Sequence, residues 1–417
     1  MRDLDLSQTL QKLRLLSRIL WVRVALILAL SILAALSAEL LDPLIPTGSK
    51  DRFTEEATLP ILNVLANGML AVATFSLGVM VSSHRTMAQQ TTPRIHRLLM
   101  EDTSTQSILA TFIGAFAYAL CSIILFRAGY YSDSASVIVF ATTVLVVATI
   151  IVSLVRWIHQ LSRIGSMDYA LLRAEDTARE ALEDANARPA LGARIFDDSV
   201  TMPDDATAIT ATSSGYLRRI DMQSVQELAK KEDAVVFIDV LPGDRILSEQ
   251  QMGNFSGKIS PDALAACFVL SPNRSYEQDS RYAIQALRET ASKALSPGIN
   301  DPGTAVEVIA RLERLLWDGL QTKRSDDDPL FDRVYVKQLA DNILIDLAFR
   351  EIARDGNSFV EVLLAISDAI ATMEQRCDEK VRGKLDDLRR ALDQHAEVGL
   401  STKAEREAYR RGSVSEI

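Results

Sequence analysis

The sequence predicts an α-helical polytopic membrane protein: four transmembrane helices, then a cytoplasmic α+β domain made of a small β-rich module and a helical bundle. Three observations carry this reading. Four apolar stretches, each near the ~20 residues a helix needs to cross a hydrocarbon core, fill the first part of the chain. The hydrophobic period shortens to alternating runs between Ser214 and Ser271. Amphipathic helical patterns then return from Glu277 onward.

The apolar stretches are Leu20–Leu41, Leu59–Val81, Gln106–Phe126 and Ala135–Val155. The first lacks a small-residue cleavage site and ends at Asp42-Pro43, so it reads as a membrane helix rather than a cleaved leader. Basic flanks set the orientation. Lys12, Arg14, Arg18 and Arg23 precede the first span, Arg85, Arg94 and Arg97 follow the second, and Arg156, Arg163 and Arg173 follow the fourth. The opposite side carries Lys50 and Arg52 among Asp51, Glu55 and Glu56, then Asp133. Both termini of this multi-pass chain are therefore expected in the cytoplasm.

Charged residues of the spans fall only at their ends (Arg23, Glu39, Arg127), which argues against a proton-driven carrier. The second span instead carries Asn63, Asn67, Thr74, Gly78 and Ser82 at roughly one-turn spacing. Such a stripe either packs helices closely or lines a polar pore in an oligomer. The connector Ser82–Thr105 contains His84, Arg85, His96 and Arg97, and Pro93 should break any helix through it. Its Leu98, Leu99 and Met100 beside basic residues suit a segment lying on an anionic leaflet.

The helical pattern of the fourth span continues to about Ala187, where Pro189 and Gly192 end it. The expected divisions are an arm at 1–19, a membrane domain at 20–157, a helical extension at 158–187, and a linker at 188–213. A β-rich module at 214–271, a helical domain at 272–396 and a flexible tail at 397–417 follow. Within the module, Tyr216–Ile220, Ala234–Val240 and Ala266–Leu270 read as strands, Asp221 opens a helix through Lys230, and Leu241-Pro242-Gly243-Asp244 reads as a turn. The outline resembles the hammerhead-like barrels of biotinyl and lipoyl carriers, but no Met-Lys-Met tip is present, so no swinging cofactor is expected.

In the helical domain the stretch KALSPGINDPGTA (Lys293–Ala305) forms a stiff corner. Pro297 closes one helix, Gly298 is the expected positive-φ residue, Asp301 is the N-cap of the next helix and Pro302 its first residue. Helices are then expected over Val336–Ile352, Phe359–Met373 and Val381–Leu392, with the acidic loop Lys323–Pro329 solvated.

Composition excludes several functions. A net charge of -10 argues against nucleic acid as a partner. Cys121, Cys267 and Cys377 are scattered, so neither a disulfide framework nor zinc spacing is present. P-loop, HExxH, GxSxG and dinucleotide-binding fingerprints are absent, so no catalytic residues, no cofactor and no metal are assigned.

The segments ALSPGINDPGTA, TFSLGVMVSS, TTPRIHRLLMEDTSTQSILATFIGAFAYAL, SGYLRRID and RSYEQDSRYAIQAL together resemble a bacterial family of predicted membrane proteins catalogued as a domain of unknown function. The likeness extends to about Gly319; SSHRTMAQQTTPR is more polar than the usual form. The resemblance implies four membrane spans and a cytoplasmic domain.

The function expected on these grounds is an oligomeric channel-like or membrane-sensor protein in a lipid bilayer, its cytoplasmic domain controlling the transmembrane helices. The candidate ligand residues are Arg274, Asp279, Arg281, Asn300, Asp301 and Thr304. With a helix N-terminus they would suit a small anion, or with Asp279, Asn300 and Asp301 a hard cation. The plain alternative is that Asp301 caps its helix and pairs an arginine. A membrane-anchored scaffold, or an enzyme acting around Arg274, Asp279, Asn300 and Asp301, are the other classes.

Overall fold

The computed structural model describes residues 20–40, 55–100, 103–163, 166–197, 199–321, 328–339 and 341–412. The expected arm at 1–19, the flank at 41–54, Asp326 and Asp327 of the acidic loop, and 413–417 lie outside them. So do the side chains of Arg23, Glu39, Asp133 and Arg163. The chain divides into two units, Met1–Tyr169 and Ala170–Ile417.

The first unit is helical: α1 (Leu20–Leu40), α2 (Glu55–Gln90), α3 (Pro93–Met100), α4 (Thr103–Arg127) and α5 (Asp133–Arg163). Three of its helical stretches, Glu56–Gln90, Gln106–Arg127 and Ala135–Leu161, are long and apolar enough to cross a membrane; a shorter apolar stretch covers Val24–Ser37 of α1. The helix α4 packs against α1, α2 and α5, burying Ala110, Phe112, Ala115, Tyr118 and Ala119. Gly114 permits the closest approach, since a Cβ there would lie 3.0 Å from Ser31 Oγ and press on Ile27. Several hydroxyls inside this bundle find partners within it, as a low-dielectric medium favours. Tyr118 Oη donates to Val139 O at 3.1 Å, Thr143 Oγ1 donates to the same carbonyl at 2.7 Å, and Tyr131 Oη donates to Ala35 O at 2.8 Å.

Two boundaries differ from the sequence expectation. The second apolar helix runs on past the expected Val81 through His84 to Gln90; Pro93 marks the break in the connector as expected and starts α3, consistent with its tolerated place in a first helical turn. The helical pattern after the fourth apolar stretch is not one rod: α5 ends at Arg163, and α6 (Met167–Ala187) begins after Ser166, which is outside either helix.

The second unit continues through a short turn at Pro189–Gly192 into β1 (Ala193–Phe196), β2 (Thr207–Thr210), β3 (Gly215–Ile220) and α7 (Met222–Lys231). Next come β4 (Val235–Ile238), β5 (Arg245–Ile246), β6 (Gln251–Ser256), α8 (Pro261–Ala265) and β7 (Phe268–Ser271). Then follow α9 (Ser280–Ala294), α10 (Pro302–Gln321), β8 (Phe331–Lys337), α11 (Asp341–Asp355), α12 (Val360–Glu374), α13 (Glu379–Gly399) and α14 (Lys403–Arg411). One sheet has the order β1-β8-β4-β6-β2 and the other β5-β3-β7. The first is mixed, with β8 parallel to both β1 and β4, which a hammerhead-like antiparallel barrel is not. Ile209, Leu217, Val236, Ile238, Met252, Val334 and Val336 form its core.

The sheet therefore reaches beyond 214–271, taking β1 and β2 from the expected linker and β8 from the expected helical segment. The end of β8 shows a strand pattern, with Val334 and Val336 buried between the less buried Arg333, Tyr335 and Lys337, a two-residue alternation. The chain end is also more ordered than expected. Thr402 and Glu405 form a reciprocal capping box for α14, and Gly412 closes it in a left-handed conformation.

Candidate functional site

The helix α9 starts at a carboxylate taken out of water. The Asp279 side chain is 1% exposed. Its Oδ1 accepts from Tyr282 N at 3.2 Å, capping α9. Its Oδ2 accepts from Arg274 Nε at 3.0 Å and Nη2 at 2.8 Å. Arg274 also lies over the Tyr282 ring at 4.8 Å and donates to Gln285 Oε1 at 2.8 Å. Burial pushes the Asp279 carboxyl above the ordinary carboxylate value, against the opposing pull of Arg274, Arg281 and the Tyr282 N–H.

Two residues after Asp279, Arg281 Nη2 donates at 2.8 Å to both Pro242 O and Asp244 Oδ1. Asp244 Oδ2 in turn accepts from Leu241 N at 2.8 Å. Gly243 has φ +94°, and the Asp279 carboxylate sits where its Cβ would be. The Leu241–Asp244 turn between β4 and β5 is thus gripped by the first turn of α9. It is also tied to β3 by Gly243 N donating to Leu217 O at 2.6 Å.

Of the six ligand candidates, Arg274, Asp279 and Arg281 meet at this end of α9. Asn300, Asp301 and Thr304 belong to the corner after its other end, and the intervening helix of 15 residues is about 22 Å long. At that corner Asp301 Oδ1 accepts from Thr304 N at 3.0 Å and Oδ2 accepts from Thr304 Oγ1 at 2.6 Å. These bonds and the local polar setting hold its carboxyl below the usual range, the Thr304 hydroxyl contributing most. The left-handed residue is Asn300, at φ +55°, rather than the expected Gly298. Asn is among the side chains that tolerate that conformation best. Asp279, Asn300 and Asp301 do not converge, and among the described residues no group of three or more His, Cys, Asp or Glu is placed to hold a metal ion.

Beside the Asp279 end lies a cavity of about 90 Å³. Its polar wall includes Asp279, Ser280 and Arg281 of α9 and Lys337 at the end of β8; its apolar wall includes Leu182, Leu316, Leu344 and Ile345. Sequence reasoning placed these residues on separate helices and had no means of joining them. The only local signal was that α6, α10 and α11 each carry an apolar face wider than one neighbour would cover.

Across α6 and α10 runs an ion cluster the sequence reading missed. Glu175 and Arg311 are buried, and Arg311 Nη1 donates to Glu175 Oε2 at 2.7 Å. Arg314 Nη2 adds a bond at 3.1 Å to the same oxygen, and Arg311 Nε reaches Glu307 at 2.9 Å.

In the first unit, Asn63, Asn67, Thr74, Gly78 and Ser82 are all exposed. At 100° per residue they fall within about a 100° arc, opposite Leu62, Leu65, Ala73 and Ser76, which are buried. Asn63 Nδ2 donates to its own Leu59 O at 2.9 Å and Thr74 Oγ1 to Leu70 O at 2.8 Å. Nothing lies within 4 Å of a Cβ built at Gly78. The stripe lies on the exposed side of α2.

Apolar helices of membrane-crossing length, joined in one chain to a sheet-and-helix unit with a buried Asp–Arg centre, define a predicted membrane protein of two units. The chain belongs to the family described as Predicted membrane protein (DUF2254), which matches residues 17–372. It is similar to Uncharacterized protein Rv1290c of Mycobacterium tuberculosis (strain H37Rv) and Uncharacterized protein Mb1321c of Mycobacterium bovis. Each is 23% identical over 370 residues, covering 85% of this chain and 70% of the relative. No solved structure matches.

Proposed function

We propose that the protein is a four-span oligomeric channel or membrane sensor of the bacterial inner membrane, with both termini cytoplasmic and its cytoplasmic domain biasing the packing of the spans. The observation that carries this reading is the outward polar stripe of α2. Two asparagines on a face otherwise bordered by exposed Val64, Leu70 and Phe75 would meet lipid in a single copy. Amides in hydrocarbon are costly and are normally turned toward a partner helix or a wet lumen. The four-span count includes α1, whose packing at Gly114 and acceptance of the Tyr131 hydroxyl at Ala35 O make it part of the bundle.

The test is the mass of the protein in nanodiscs, paired with ion flux in liposomes. An oligomer that passes ions, with Asn67→Leu or Thr74→Leu altering the flux, supports a channel. An oligomer without flux whose assembly those variants weaken supports a sensor. A monomer in nanodiscs overturns both.

A further inference from the structure

The cavity between α6, α9, α10 and α11 stands apart from the membrane stripe, and what it binds does not depend on oligomeric state. We infer that it is a binding site for a small aliphatic monocarboxylate, the carboxylate held by Arg281 and Lys337 and the hydrocarbon packed on Leu182, Leu316, Leu344 and Ile345.

Three features converge on this chemistry. Ligand sites are mostly apolar concavities with a few fixed polar groups, and this cavity combines leucine and isoleucine walls with the cationic side chains of Arg188, Arg281 and Lys337. Its volume, about 90 Å³, is smaller than the ~150 Å³ cavity that accommodates benzene. A tail of a few carbons therefore fits, and a lipid chain does not.

The sign of the charge follows from which groups are already satisfied. Among the described residues, Asp279 is the sole acidic residue of the lining. Its oxygens accept two bonds from Arg274, which is not part of the lining, and one from the Tyr282 N–H, so it offers little to a cationic ligand. Arg281 uses Nη2 on the Leu241–Asp244 turn and holds Nε 3.8 Å from Asp279 Oδ1, which fixes the guanidinium while Nη1 keeps donor capacity. Lys337 is exposed at the end of β8, and Arg188 pairs with Asp184, outside the lining.

Calorimetry on the full chain in nanodiscs tests this, with hexanoate, butyrate, hexanol and hexylammonium as probes and empty nanodiscs as the partition control. Two variants leave the core intact. Lys337→Gln removes an exposed charge, and Ala185→Phe adds bulk at an exposed position of the lining. The expected result is saturable binding of butyrate, weaker binding of hexanoate, and none of hexanol or hexylammonium. Lys337→Gln should weaken butyrate about threefold, the scale of a solvent-exposed ion pair, and Ala185→Phe should abolish binding. Absence of butyrate binding, equal binding of hexylammonium, or binding untouched by both variants would overturn the inference.

Discussion

The Asp279 carboxylate fills the space into which a side chain at Gly243 would have to grow. A turn between two strands and the cap of a helix are thereby built against each other. The buried acid serves as cap, arginine partner and steric stop at once, roles that a surface carboxylate does not combine.

Gly243→Ala should accordingly lower stability by more than about 1 kcal/mol, because φ +94° strains any L side chain and the carboxylate must also move. The thermal midpoint of the full chain in nanodiscs measures it. In an Asp279→Ala background the steric part disappears, so the double variant should lose less than the two single losses added together. Strict additivity would show that the two residues do not share this space.

At the far end of α9, Asp301→Ala should cost about 1 kcal/mol by removing a helix cap, and Asp301→Asn distinctly less because an oxygen remains for Thr304 N. The sign with pH is set by the lowered folded-state pKa of Asp301. Its contribution is present above the ordinary carboxylate value, about 3.9, and is lost as pH falls through the lower folded value. The gap between wild type and Asp301→Asn should therefore close on acidification. A gap that widens would mean that Asp301 is not the cap acceptor.

Cys267 is buried, and burial with the nearby Asp221 pushes its thiol up to about 11. A thiol so placed is almost wholly protonated at pH 8 and shielded from reagents. Mass spectrometry after brief treatment with iodoacetamide should find Cys267 unmodified in the native protein and modified after denaturation. Native labelling at that residue would contradict the core built around β3, β7 and α8.

Much of this architecture is readable from local pattern. The apolar runs mark α2, α4 and α5; alternation marks β3 and β4; Asp301-Pro302 marks the start of α10. The misses have nonlocal causes. β8 sits between helices in sequence and is a strand because β1 and β4 lie on either side of it. That Asn300 holds the left-handed position of the corner follows from how the backbone turns there. That Asp279 is engaged by Arg274 and the Tyr282 N–H follows from the fold bringing them together. The α2 stripe was visible as spacing, but only the folded bundle shows which way it faces.

The same reasoning applies to Glu175, whose charge is matched by Arg311 and Arg314 from α10 across the helix by which the chain enters its second unit. The Glu175 and Arg311 side chains are only 7% and 8% exposed, so removing one partner strands the other in a poorly hydrated place. Glu175→Gln should cost about 3 kcal/mol, the low end for breaking a buried pair, because Glu307 still holds Arg311. Replacing both members, Glu175→Leu with Arg311→Met, should recover most of that loss, since a well-packed apolar pair needs no desolvation of charge. Amide exchange across α6 is the readout: faster in Glu175→Gln and near wild type in the double variant. Unchanged exchange in Glu175→Gln would mean that apolar packing alone fixes α6 on α10.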